Sequence, residues 1–137
     1  MHSRIAWKAL PPAAMLLALA LALGLSSRTA AAPPQVARVW HGRTPNGKAA
    51  EYSKYLAESI RKFRTIPGNL GYEMMEERVG DETHFLVVSY WASRDAIHAY
   101  AGADIQKTRP LPRDAEFLVD PEPTVKNYQL VVRDLAP

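Results

Sequence analysis

Residues 84–106 read HFLVVSYWASRDAIHAYAGADIQ, and the first half of this stretch decides the fold. Phe85, Leu86, Val87, Val88, Tyr90 and Trp91 crowd together. Such a density of β-branched and aromatic types favours a strand over a helix. One face of the strand carries Phe85, Val87, Ser89 and Trp91, the other His84, Leu86, Val88 and Tyr90. A strand with one solvated face alternates apolar with polar residues, and this one does not. Both faces therefore need cover: helices of the same chain for one, and in so short a chain a second copy of the sheet for the other. Ser93 then offers a side-chain oxygen to the first free N–H groups of a helix, and Asp95 sits in its first turn, where the dipole favours an anion. Ala96, Ile97, Tyr100 and Ala101 recur at helical spacing until Gly102.

Working upstream, residues 72–79 (YEMMEERV) read as a strand joined to the central one through a turn at Gly80-Asp81, which makes a hairpin. Before it, Tyr52, Tyr55, Leu56, Ser59, Ile60 and Phe63 fall on one face of an amphipathic helix that Pro67-Gly68-Asn69 ends. Thr44-Pro45 reads as its start, with Thr44 capping and Pro45 at the first helical position. Residues 36–41 (VARVWH) form a first strand, with Val36, Arg38 and Trp40 on one side and Ala37, Val39 and His41 on the other. Downstream, Pro110, Pro112, Pro121 and Pro123 forbid long regular structure, leaving room for a helical turn over residues 114–119. Residues 124–133 (TVKNYQLVVR) are the last strand, with Tyr128, Leu130 and Val132 on one face. The order strand, helix, strand, strand, helix, strand predicts an α+β, ferredoxin-like βαββαβ domain: an antiparallel four-stranded sheet with two helices on one face. The doubly apolar central strand predicts a homodimer whose two sheets form a barrel-like core.

The first 32 residues stand apart. His2, Arg4 and Lys8 make a basic start, residues 13–25 are an apolar run, and Thr29-Ala30-Ala31 offers a small-residue cleavage site, so residues 1–32 read as a signal peptide and 33–137 as one domain. The run is shorter than the ~20 residues a spanning helix needs. Export to the periplasm or medium, with no membrane contact after cleavage, is the expectation, and an uncleaved N-terminal membrane anchor is the alternative. The chain has 17 Lys+Arg against 14 Asp+Glu, but Arg4, Lys8 and Arg28 precede Pro33 and no acid does. The charge of the domain is therefore balanced, which removes the basic footprint of a nucleic-acid binder. There is no cysteine, which excludes disulfides, a lipobox and thiolate metal sites.

The residues also support a family resemblance. Residues 37–42 (ARVWHG) with Thr44, Pro67-Gly68-Asn69, Tyr90-Trp91-Ala92-Ser93 and residues 100–104 (YAGAD) carry it, together with Pro112, Asp114, Phe117-Leu118 and residues 125–130. Over residues 36–132 the chain resembles the antibiotic biosynthesis monooxygenase (ABM) domain proteins of the dimeric α+β barrel superfamily. The resemblance implies that fold and a family spanning cofactor-free quinone-forming oxygenases, haem degraders and proteins of no known activity. Relatives tend to carry a His before the final-strand Tyr, where this chain has Asn127. The haem-degrading branch has a Trp in the second helix and an axial His ten residues later. Tyr100 and Pro110 stand there instead, which disfavours haem degradation.

Three histidines lie in the domain, His41, His84 and His98, without metal-ligand spacing, so no metal site is expected. His84 and His98 read as surface positions. His41 ends the first strand beside Gly42 and is the candidate general base. Trp91 is the candidate wall of an apolar pocket and Asn127 the hydrogen-bond partner of a phenol or ketone oxygen. Trp40, Tyr90, Tyr100 and Tyr128 complete the aromatic set for substrate, although large residues in a small domain also serve as core or interface. No phosphate loop, nucleophile elbow or other cofactor motif occurs. The expectation is a cofactor-independent monooxygenase acting on a small aromatic, hydroquinone- or phenol-type molecule with O2. The alternative is a non-catalytic exported dimeric binding protein for a small aromatic or tetrapyrrole ligand.

Overall fold

The structure, a computed structural model, describes residues 33–136; the segment read as a signal peptide lies outside them. Strand β1 (Val36–Pro45) leads into helix α1 (Asn46–Ile60) and a 3-10 turn (Arg61–Thr65). Strands β2 (Asn69–Val79) and β3 (Glu82–Trp91) form the hairpin, followed by α2 (Arg94–Ala101), a short α3 (Asp114–Phe117) and β4 (Lys126–Gln129). The sheet order is β2-β3-β1-β4, antiparallel throughout, which is the ferredoxin-like arrangement. Among these residues no helix is long and apolar enough to cross a membrane.

The central strand behaves as its pattern demands. Phe85, Val87, Ser89 and Trp91 are buried beneath α1, the 3-10 turn and α2, whereas His84, Leu86, Val88 and Tyr90 are half-buried on the opposite, outer face. Tyr52, Leu56, Ile60 and Phe63 supply the helical side of the inner core, and Val36, Trp91, Ile97 and Ala101 fill its far end. Ser93 caps α2 as expected, its Oγ accepting from the Ala96 N–H at 3.1 Å. Gly68, at φ +83°, backs onto Ala96, where a Cβ would lie 2.5 Å from the alanine methyl. Only glycine fits there.

Several boundaries differ from the sequence reading, β2 for one beginning at Asn69 rather than Tyr72, and two of the differences bear on the site. Thr44 does not cap α1: it is fully buried as the penultimate residue of β1, and Pro45 is the cap. The helix entry is held by the hairpin turn instead, with the Asn46 N–H donating to Asp81 O at 3.0 Å and Asn46 Nδ2 to Gly80 O at 2.9 Å. The last strand is short because its partners run out. Val36 pairs with Gln129 at the start of β1, and upstream of Lys126 the backbone turns to residues 106–108. Val132 is consequently exposed.

Candidate functional site

Alternation along β1 sends neighbouring residues to opposite faces of the sheet. Trp40, paired with Val87, faces inward; His41, paired with Leu86, faces outward. Between the inner face and the helices lies a cavity of about 40 Å³, with Trp40, Leu56, Ile60, Phe63, Val87, Leu111 and Val125 as apolar lining. Its polar lining is Arg38, Tyr52, Lys62, Ser89, Tyr100, Arg109 and Asp114. Such a volume holds on the order of three waters, so a ring enters only if the lining moves.

Arg38 is the deepest charge, only 4% exposed. Its Nη1 donates to Ile105 O and, at 3.5 Å, to Asn127 Oδ1, while Nη2 donates to Lys107 O at 2.9 Å. Burial depresses its pKa, because the charged form gives up water. Asn127 Nδ2 donates to Ile105 O at 3.0 Å, so Asn127 braces the Arg38 cradle from β4.

Asp114, buried at the start of α3, lines the same cavity. Its Oδ1 accepts from the Tyr52 hydroxyl at 3.0 Å and its Oδ2 from the Leu111 N–H at 2.7 Å. Desolvation raises the pKa of its carboxyl, partly offset by those two donors. Burial beside Asp114 likewise pushes the Tyr52 phenol up. An open vestibule of about 310 Å³, lined by Lys62, Thr65, Ile66, Ala99, Tyr100, Arg109 and Pro110, shares Lys62, Tyr100 and Arg109 with the cavity. The Tyr100 ring lies 5.8 Å from the Arg38 guanidinium, and burial raises its pKa.

The residues singled out from sequence divide sharply. Trp40 and Tyr100 line the cavity. Asn127 reaches it only through Arg38. Trp91 is not a wall but core: fully buried, it donates from Nε1 to Ser89 Oγ at 2.9 Å and packs on Phe63 and Tyr100. His41, Tyr90 and Tyr128 belong to the outer face. His41 therefore does not converge with Trp91 and Asn127, and it is no base for a ligand in this cavity. It sits in a hydrogen-bonded chain, Nδ1 to Glu122 at 2.6 Å and Nε2 to His84 Nδ1 at 3.0 Å. Tyr90 pairs its hydroxyl with Glu73 at 2.8 Å, and Tyr128 is exposed. Gly42 admits no ligand to the backbone either. The Trp40 indole already covers it, 2.3 Å from where a Cβ would stand. The sequence reading missed Arg38, Lys62, Arg109, Tyr52 and Asp114. A signal existed for two of them: Arg38 shares a strand face with Val36 and Trp40, and Tyr52 lies on the apolar face of α1.

Comparison with known proteins agrees with this architecture. The model of the family described as antibiotic biosynthesis monooxygenase matches residues 36–108. Similar solved structures include a Nitrosomonas europaea protein of unknown function, 17% identical, TM-score 0.55, covering 76% of this chain and 96% of that one. A Bacillus cereus protein provisionally assigned as an antibiotic biosynthesis monooxygenase is 12% identical, TM-score 0.53, with coverage of 76% and 98%. The Mycobacterium tuberculosis haem degrader, with two haems bound in its active site, is 24% identical, TM-score 0.51, with coverage of 74% and 99%. At such identities these structures speak for the fold. No curated protein matches. The cavity does not fit haem, because its described lining contains no imidazole, thiolate or thioether, and burial holds the Tyr100 phenol protonated.

Proposed function

The chain belongs to the antibiotic biosynthesis monooxygenase family, and from that premise we propose that its inner cavity takes a small phenol- or hydroquinone-type aromatic and oxidises it with O2 without an added cofactor. The observation that carries this reading is a buried cation and a buried carboxylate, Arg38 and Asp114, lining one largely apolar cavity. Asp114, the only carboxylate lining the cavity among the described residues, is the proton acceptor in place of His41. Its raised pKa brings it closer to that of a phenol, which favours proton transfer. The resulting phenolate lies against Arg38, and the electron-rich ring passes an electron to O2. Recombination gives a ring hydroperoxide that loses water, so one oxygen atom ends in the quinone and the other in H2O. The protein supplies orientation, a base and exclusion of solvent.

A non-catalytic binding role for a small aromatic ligand is the second reading, the tetrapyrrole alternative being disfavoured by a lining that does not fit haem. It is favoured by one observation: both Asp114 oxygens already accept hydrogen bonds. In either reading we propose a homodimer joined through the outer sheet faces, and export of the chain after cleavage near Pro33, which N-terminal sequencing of the native protein checks. The deciding measurement for function is oxygen uptake by metal-free protein over a panel of hydroquinones and phenols, with a haem titration in parallel. Saturable uptake lost in Asp114→Asn supports the oxygenase. Ligand binding without oxygen consumption supports the binding protein.

A further inference from the structure

Among the described residues no carboxylate lies within ion-pair distance of Arg38, Lys62 or Arg109, whereas Arg43, Arg61 and Arg113 are all paired. For exposed Lys62 and Arg109 this is ordinary, since water solvates them. For Arg38 it is not, because a buried charge held by carbonyl oxygens and an amide, with Asp104 acting on it only from beyond ion-pair distance, still carries a net positive field. That field points into the cavity it lines. Asp114, the cavity's carboxylate, is engaged with Tyr52 and Leu111 instead. Lys62, Tyr100 and Arg109 line both the cavity and the vestibule outside it. Tyr100, the aromatic residue shared by both linings, thus stands at their junction together with the two cations. The vestibule, about 310 Å³, is already at the lower end of the range of small-molecule sites, about 300 Å³, and displacement of Tyr100 would open the apolar cavity to it.

Resting on the cavity reading above, we infer that the ligand is recognised as an anion, entering past Tyr100 with its aromatic ring on the apolar floor and its negative oxygen held by Arg38, Lys62 and Arg109. A carboxylate brings this charge with it, and a phenol acquires it on handing its proton to Asp114. The charge on the ligand supplies the counter-ion that the chain itself withholds from Arg38. Two mouth cations draw it in, an attraction that weakens with salt.

The test is calorimetric binding of naphthoate, its neutral isostere naphthamide, and naphthol to the purified protein. Naphthoate should bind at least about tenfold more tightly than naphthamide, as a charge-assisted contact warrants. Arg109→Gln and Lys62→Gln should each shrink that gap severalfold, chiefly by weakening naphthoate. Lys54→Gln, on exposed helix surface, should not alter it. A phenolate absorption band on naphthol binding adds ionised phenols to the ligand class; its absence, with naphthoate preferred, restricts the class to carboxylates. Equal affinity for naphthoate and naphthamide overturns the anion inference while leaving the cavity reading intact. Failure of the wild type to bind any of the three overturns both.

Discussion

The two faces of the sheet are made by the same strands and live in different worlds. On the inner face, β3 contributes Phe85, Val87 and Trp91 to a core closed by the helices, and the polar groups there, Arg38, Ser89, Tyr52 and Asp114, are each held by named partners. On the outer face, Leu86 and Val88 are only half-buried, and Met75, Val79 and Tyr128 are exposed. The polar groups there form surface chains, Glu122–His41–His84 and Arg43 with Glu82 and Asp120. The difference teaches that a strand apolar on both sides serves two unequal purposes. One face builds the protomer and its cavity, and the other remains available to another molecule, for which the proposed second copy is the natural occupant.

The hardest blow to this division is a charge placed on either side of β3. Val87→Asp buries an unpaired carboxylate in the inner core, a cost of several kcal/mol, and should leave no cooperative thermal transition. Val88→Asp should leave the transition in place and convert dimer to monomer on size-exclusion chromatography. If both variants unfold alike, the outer face is as essential to the protomer as the inner one. A wild type that elutes as a monomer at micromolar concentration removes the proposed partner.

A smaller effect is expected at Asp114. Asp114→Ala strands the Tyr52 hydroxyl and the Leu111 N–H, at about 1–3 kcal/mol for each donor left unpaired. The pH dependence has a definite sign. Folding raises the carboxyl pKa, so the protonated form is the one the fold favours. Its contribution is fully present below the ordinary aspartate value and declines as pH rises through the raised one. Wild-type stability measured relative to Asp114→Asn by urea unfolding should therefore fall across that window. A flat difference would show that the inner carboxylate is not desolvated.

The smallest effect belongs to the outer face. His41→Ala removes two hydrogen bonds at a half-exposed position and should change stability by no more than about 1 kcal/mol. Affinity for ligands of the inner cavity should be unchanged. Loss of oxygen uptake in this variant with binding intact would move the chemistry to the outer face and undo the comparison.

Local pattern was sufficient for the fold. β-Branched and aromatic crowding marks β3, three-and-four spacing marks α1 from Tyr52 to Ile60, and Ser93 and Gly80 mark a cap and a turn; each signal is carried by residues a few positions apart. Alternation along β1 is by itself enough to put Trp40 and His41 on opposite faces. Which of the two faces the helices cover is beyond its reach, because that depends on contacts between distant segments. Tertiary structure turned Arg38 inward by bringing the carbonyls of Ile105 and Lys107 to it, 67 and 69 residues along the chain. An arginine on a strand otherwise reads as solvated. The same long-range packing set Asp114 against Tyr52, 62 residues away, and left His41 on the far side. The chain's own sequence determined its elements, their order and its family. Only three-dimensional closure decided the site, since a cavity is made by groups that the sequence keeps apart.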